Sequence, residues 1–187
     1  EDVELNPWSE NDEDVLARAS STADVGECTK YRLAVLLTFT VTLSVFPAVT
    51  SAIQSAHNLF GNLWSPMLFL LFNVGDLIGR HCATVYPKTP PRGDALLRLA
   101  LARCVFAPLL ASCNVSTTTT TNTWRIPRLV TNVFWPTLFI LALAITNGWI
   151  ASLGMMHGPT RASLERLPSE GVALAIALVA GIFIGSS

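Results

Sequence analysis

Residues 33–56 read LAVLLTFTVTLSVFPAVTSAIQSA, 24 positions without a charged side chain. At about 1.5 Å of rise per residue, this stretch wound as a helix crosses the roughly 30 Å hydrocarbon core of a bilayer with some tilt. Pro47 lies inside it, and its ring removes an intrahelical hydrogen bond, so a kink is expected there. A run this long and this free of charge reads as a membrane-spanning helix.

Working outward, four further apolar segments follow, at about 64–85, 95–113, 129–156 and 171–187, the last with only 17 residues before Ser187. The fold class expected from five such segments is an all-α integral membrane protein. Composition agrees: 51% of the 187 residues are hydrophobic and 13% charged, about half the charge of a soluble domain. That argues against a soluble enzyme, a nucleic-acid reader or a disulfide scaffold. Cys28, Cys82, Cys104 and Cys113 are widely spaced, without a CxxC pair or a histidine at metal-ligand spacing, and read as reduced thiols. No metal or other cofactor is expected.

The net charge of −1 hides a division. Residues 1–30 hold nine of the 13 acids but only Arg18 and Lys30 among the 12 bases. With no apolar period of its own, this stretch is expected to be a disordered acidic loop. It begins with Glu and lacks a basic segment followed by an apolar one, so it does not read as a signal peptide; the chain reads as an excerpt of a longer protein. If the first helix starts in the cytoplasm, the inner flanks carry Lys30, Arg32, Lys88, Arg92, Arg161 and Arg166, and the outer flanks carry Arg125 and Arg128. That imbalance puts the acidic segment in the cytoplasm and the end of the fifth helix outside.

The second segment contains FLLFNVGDLIGR, residues 69–80. At 100° per residue, Phe69, Asn73, Asp76 and Arg80 fall within about 60° of one another on one helical face. An ionised group at the bilayer centre costs at least about 2.5 kcal/mol, so Asp76 and Arg80 should face the bundle interior or an aqueous cavity. The alternatives are an Asp76–Arg80 pair that only neutralises itself, or an Arg80 that snorkels to the surface. Arg103 is the other charge deep in a segment; either it meets Asp76 across two helices or its partner lies outside this chain. Arg98, nearer the basic flank, reads as a snorkelling residue.

In the fourth segment Gly148, Ala151, Ser152 and Gly154 permit close helix approach, as do Gly171, Gly181 and Gly185 in the fifth. Asn147 either belongs to that packing face or lines a substrate path. His57 and His157 sit at segment ends, where solvation is the default. Asn114-Val-Ser116 is the one glycosylation sequon, close to the end of the third segment and followed by a hydroxyl-rich run over 116–121. There is no ATP-binding motif, nucleophile–base pair or metal triad, so neither a primary pump nor an enzyme is supported. A membrane receptor or assembly subunit that transports nothing is the alternative from another class.

Four strings resemble the equilibrative nucleoside transporter family in its C-terminal half: Phe46-Pro47-Ala48-Val49-Thr50; Phe72-Asn73 with Asp76-x-x-Gly79-Arg80; Leu101-Ala102-Arg103-x-Val105-Phe106-x-Pro108-Leu109-Leu110; and Asn147-Gly148-x-x-Ala151-Ser152-Leu153. The resemblance implies an eleven-helix fold of major-facilitator type, with these segments as helices seven to eleven after a cytoplasmic loop, and the N-terminal transporter half outside this chain. It implies facilitative transport of nucleosides, and of nucleobases as an extension, by alternating access, with proton coupling as the alternative. The implied location is the plasma membrane first and an intracellular membrane second. It further implies that Asp76 and Arg80 contact the ribose hydroxyls, with Phe69 and Asn73 lining the same cavity and Arg103 and Asn147 in support. The tryptophan and glutamine that the family contributes from its first six helices are absent. Gly75 stands where some relatives carry a bulkier side chain, which bears on the shape of the cavity.

Overall fold

The computed structural model of the chain describes residues 10–52, 63–85, 91–112, 134–163 and 166–187, with side chains in the first stretch described over 25–46. His57, Cys113, the sequon at Asn114 and the hydroxyl-rich run lie outside the described residues. All regular structure among the described residues is helical: α1 (Glu10–Ala52), α2 (Trp64–Val85), α3 (Gly93–Ala102), a 3₁₀ turn (Arg103–Val105), α4 (Phe106–Ala111), α5 (Phe134–His157), a 3₁₀ turn (Pro159–Arg161) and α6 (Leu167–Ser186).

Two expectations need correction. The acidic stretch read as a disordered loop over 1–30 is helical from Glu10 onward, and α1 runs on through Pro47 to Ala52 as 43 residues. Extending an existing helix adds one hydrogen bond for each residue fixed and needs no new nucleus, so a polar segment attached to a long apolar helix can stay helical without an apolar face. Its last turns also pack: Cys28 and Tyr31 are buried, the Tyr31 hydroxyl donates to the Pro91 carbonyl, and Glu27 Oε2 accepts the Gly93 N–H at 3.0 Å. That carboxylate satisfies one of the open donors at the start of α3, where Arg92 supplies no side-chain cap.

The second correction concerns the third apolar segment, which is broken into α3, the 3₁₀ turn and α4. Pro108 has no N–H for the Cys104 carbonyl and its ring crowds that carbonyl, so the preceding turn tightens, with the Phe106 N–H bonding to Arg103 O. Among the described residues, four helical segments are therefore long and apolar enough to cross a membrane: Val25–Phe46, Trp64–Val85, Phe134–Arg161 and Leu167–Ser186.

Packing uses two close seams. Between α2 and α5, a Cβ on Gly79 would lie 2.1 Å from Ile145 O, and one on Gly148 would lie 2.0 Å from Asp76 O. Between α1 and α6, Cβ atoms on Gly181 and Gly185 would lie 2.5 Å from Leu36 O and 2.6 Å from Thr40 O. Gly154 faces Val35 closely, whereas among the described residues nothing lies within 4 Å of a Cβ on Gly171. Gly75 faces Ala144 and Leu141 of α5, so its small size serves this seam.

Two apolar clusters form the core. Tyr31, Val35, Leu96, Ile150, Leu153 and Leu174 belong to one, and Val45, Phe46, Trp64, Leu68, Leu110, Ile140 and Leu143 form the other. Between the clusters, α1, the 3₁₀ turn and α5 each bury polar side chains: Thr38, Thr42, Arg103 and Asn147.

At the end shared by Tyr31 and the start of α3, Arg32 forks onto Glu170 of α6, with Nε donating to Oε2 at 2.9 Å, and Lys30 pairs with Asp94 and Glu27. Glu170 is buried whereas Asp94 is exposed. Glu170→Ala is therefore expected to destabilise the full-length protein by about 2 kcal/mol, the value of a charge-assisted hydrogen-bonded pair. Asp94→Ala should cost under about 1 kcal/mol. Melting temperatures of the detergent-purified proteins check the contrast.

Candidate functional site

The polar layer gathers on Asp76 of α2. Its Oδ2 accepts from Arg80 Nε at 2.7 Å, the i,i+4 geometry that one helical face allows, and its Oδ1 accepts from Asn147 Nδ2 of α5, also at 2.7 Å. The Gly148 seam makes the second bond possible, because only an absent side chain lets α5 come near enough for its neighbour Asn147 to reach across. Asp76 is 16% exposed in its side chain and Arg80 49%, so the pair has one edge closed by α5 and one edge open.

Arg103 lies on the far side of Asn147 and is 2% exposed. Its NH1 donates to Thr38 O at 3.2 Å; its NH2 donates to Thr42 Oγ1 at 2.8 Å and to Leu143 O at 3.0 Å. Both terminal nitrogens stand 3.4 Å from Asn147 Oδ1. The Thr42 hydroxyl is 2.7 Å from both Asn147 Oδ1 and Thr38 O, and its single proton serves one of them. Arg103 thus meets Asp76 through one amide rather than directly, and among the described residues it forms no ion pair. The helix break at residues 103–105 puts the guanidinium within reach of carbonyls from both α1 and α5.

The other two residues of the α2 stripe stand apart from this network. Phe69 packs edge-on against Phe46 with ring centres 4.8 Å apart, and Phe46 stacks on Phe72 at 4.0 Å, all within the second apolar cluster. Asn73 is exposed, and its Nδ2 donates to Phe69 O of its own helix at 2.8 Å. Arg98 is exposed and its Nε donates to Asp94 O at 3.2 Å. Sequence reasoning missed Thr38 and Thr42, although two hydroxyls at i,i+4 in a charge-free helix were the available signal. Cys82 and Cys104 are exposed thiols, and the buried Cys28 Sγ lies 3.8 Å from Gly158 O.

Comparison with known proteins places the chain in a family. The family model described as nucleoside transporter matches residues 14–187. Human equilibrative nucleoside transporter 1 is 33% identical over 156 residues, covering 79% of this chain and 32% of the relative. Human equilibrative nucleoside transporter 2 is 32% identical over 191 aligned positions, covering 100% of this chain and 41% of the relative. Equilibrative nucleoside transporter 3 of Rattus norvegicus is 31% identical over 178 residues, 89% of this chain and 34% of the relative. The chain therefore spans between 32% and 41% of the length of these relatives. Matched by that model from residue 14 to its last residue, and built of helices able to cross a bilayer, the chain belongs to the nucleoside transporter family.

Proposed function

We propose that this chain is part of a carrier that moves nucleosides, and nucleobases as a secondary cargo, down their gradients by alternating access, with Asp76 and Arg80 holding the ribose hydroxyls. The observation that carries the reading is the half-open Asp76–Arg80 pair. Asp76 Oδ2 keeps a lone pair beyond its bond to Arg80, and the two terminal nitrogens of Arg80 have no partner among the described residues. A vicinal diol suits this edge: one hydroxyl donates to the carboxylate while the other accepts from the guanidinium fork. Nucleoside as substrate is supported by the relatives described above, which are equilibrative nucleoside transporters.

In this reading the stretch from Gly93 to Ala111 is a fifth crossing, because ten helical, three 3₁₀ and six helical residues add up to about 30 Å. The five crossings form one wall of a major-facilitator-type cavity, and further helices of the full-length carrier supply the other. The acidic end of α1 lies in the cytoplasm, and the plasma membrane is the proposed location.

The test is uptake of a panel of labelled nucleosides and nucleobases into proteoliposomes holding the full-length protein, with and without a protonophore. Saturable uptake that equilibrates and ignores the protonophore is expected; absence of saturable uptake would overturn the function. Arg80→Lys is expected to cut uptake at least about tenfold while the protein still inserts, since lysine keeps the charge but loses the planar fork. Arg98→Lys should stay near wild type. Equal transport by both variants would remove Arg80 from the site.

A further inference from the structure

We propose that Arg103 is a positioning residue for the nucleoside site, acting on Asp76 through the side-chain amide of Asn147. The inference rests on the reading of Asp76 as a substrate contact. Asn147 stands between a buried cation and a carboxylate, with its oxygen toward Arg103 and its nitrogen toward Asp76. Turned over, the same amide would set NH₂ against guanidinium on one side and oxygen against carboxylate on the other, two repulsive contacts in place of two attractive ones. Arg103 thereby fixes which end of Asn147 meets Asp76.

That choice matters at the open edge of the site. An i,i+4 aspartate and arginine left to themselves can close into a two-pronged pair that occupies both carboxylate oxygens. The Asn147 N–H at 2.7 Å claims Oδ1, holds the plane of the carboxylate, and leaves Arg80 on Oδ2 through Nε alone. The terminal nitrogens of Arg80 and a lone pair on Oδ2 stay available to a diol. Arg103 is itself held by acceptors from two helices, Thr38 O and Thr42 Oγ1 of α1 and Leu143 O of α5. A planar fork satisfies this set and a lysine ammonium does not.

A residue tied to two neighbouring helices could serve the fold alone, so the test separates the two roles. Asn147→Asp keeps an oxygen acceptor for Arg103 and gives it a counter-charge, so the tie between helices survives. It deletes the donor to Asp76 and sets a like charge beside it. In the full-length protein, Asn147→Asp is expected to preserve abundance in the membrane and to weaken binding of labelled nucleoside at least about tenfold. In an Asp76→Asn background, where the amide at 76 can donate to the new carboxylate, the same change should cost less than about threefold. Asn147→Ala, which deletes the bridge without adding charge, runs the same cycle and should show the same loss of coupling. Unchanged binding in Asp76→Asn alone would overturn the reading of Asp76 and this inference with it. A loss in Asp76→Asn without one in Asn147→Asp or Asn147→Ala would overturn this inference only. Equal losses in both backgrounds would also overturn it, because the effect would then not pass through Asp76.

Discussion

Full-length protein carrying Gly148→Val is expected to melt well below the wild type and to be depleted in the monodisperse membrane-protein fraction. The first carbon added at this position falls 2.0 Å from Asp76 O and 2.9 Å from Arg80 N. The obstacle is backbone, so no rotamer change relieves it, and α2 must retreat by more than an ångström. Overpacking against movable side chains costs about 1–3 kcal/mol, and a collision with a neighbouring helix's main chain should reach or exceed the top of that range. The retreat would also pull Asn147 off Asp76. Against a typical stability of about 5–15 kcal/mol, a loss of about 3 kcal/mol removes roughly a fifth to three fifths of the total and lowers the melting temperature by many degrees. Gly171→Ala is the control, since nothing lies within 4 Å of a Cβ at 171 and a mid-helix alanine is favoured over glycine by about 0.5–1 kcal/mol. Size-exclusion profiles and melting temperatures of the two variants check the contrast, and a normal profile for Gly148→Val would show that the seam can open.

Asp76→Ala is expected to cost more nucleoside affinity than any other single change within the polar layer. Asp76→Asn removes the charge but keeps an oxygen for the Asn147 N–H; its amide nitrogen then opposes Arg80, which must swing away. Asp76→Ala leaves both Arg80 and Asn147 without that partner. Loss of a charged hydrogen bond amounts to about 1.5–3 kcal/mol, or roughly ten- to a hundredfold in affinity. The asparagine variant should fall near the low end and the alanine variant near the high end. Equilibrium binding of a labelled nucleoside, normalised to inserted protein, distinguishes a site effect from poor insertion. Unchanged affinity in an inserted Asp76→Ala protein would reduce Asp76 to a neutralising partner of Arg80.

Much of the helical architecture was legible because the bilayer sets a length, and charge-free runs of that length are conspicuous. The break at residues 103–105 was less so, since hydropathy measures transfer and is silent about whether a proline lets the ladder continue. The acidic segment misled for a related reason. Composition judges a stretch as though it stood alone, whereas residues 10–30 continue a helix already nucleated by its apolar neighbour.

The α2 stripe was legible as a face but not as a site. Gly75 and Gly79 point α2 toward α5, and their mean direction lies about 80° from Asp76, about 120° from Arg80 and about 140° from Asn73 around the helix. Of these three, Asp76 is therefore turned most toward α5 and Asn73 farthest away. A helical wheel relates residues of one helix only; it cannot give the neighbour's direction unless the small residues are read as a pointer. Arg103, Thr42 and Asn147 come from three separate segments, and their meeting depends on packing that no periodicity within one helix records.

The two glycine seams also limit how this chain can deform. Helices separated by interlocking side chains can slip past one another by exchanging rotamers, a cog at a time. Across α2–α5 and α1–α6 the main chains themselves meet, at positions where even a methyl group would collide. Sliding by one residue, about 1.5 Å, would bring a side chain into a slot cut for a hydrogen atom. Each couple is keyed like a shaft in its slot and moves as a single strut. Among the described residues, the six helices thus amount to two struts and one broken member, α3–α4, whose 3₁₀ turn carries Arg103 and is tied by it to α1 and α5.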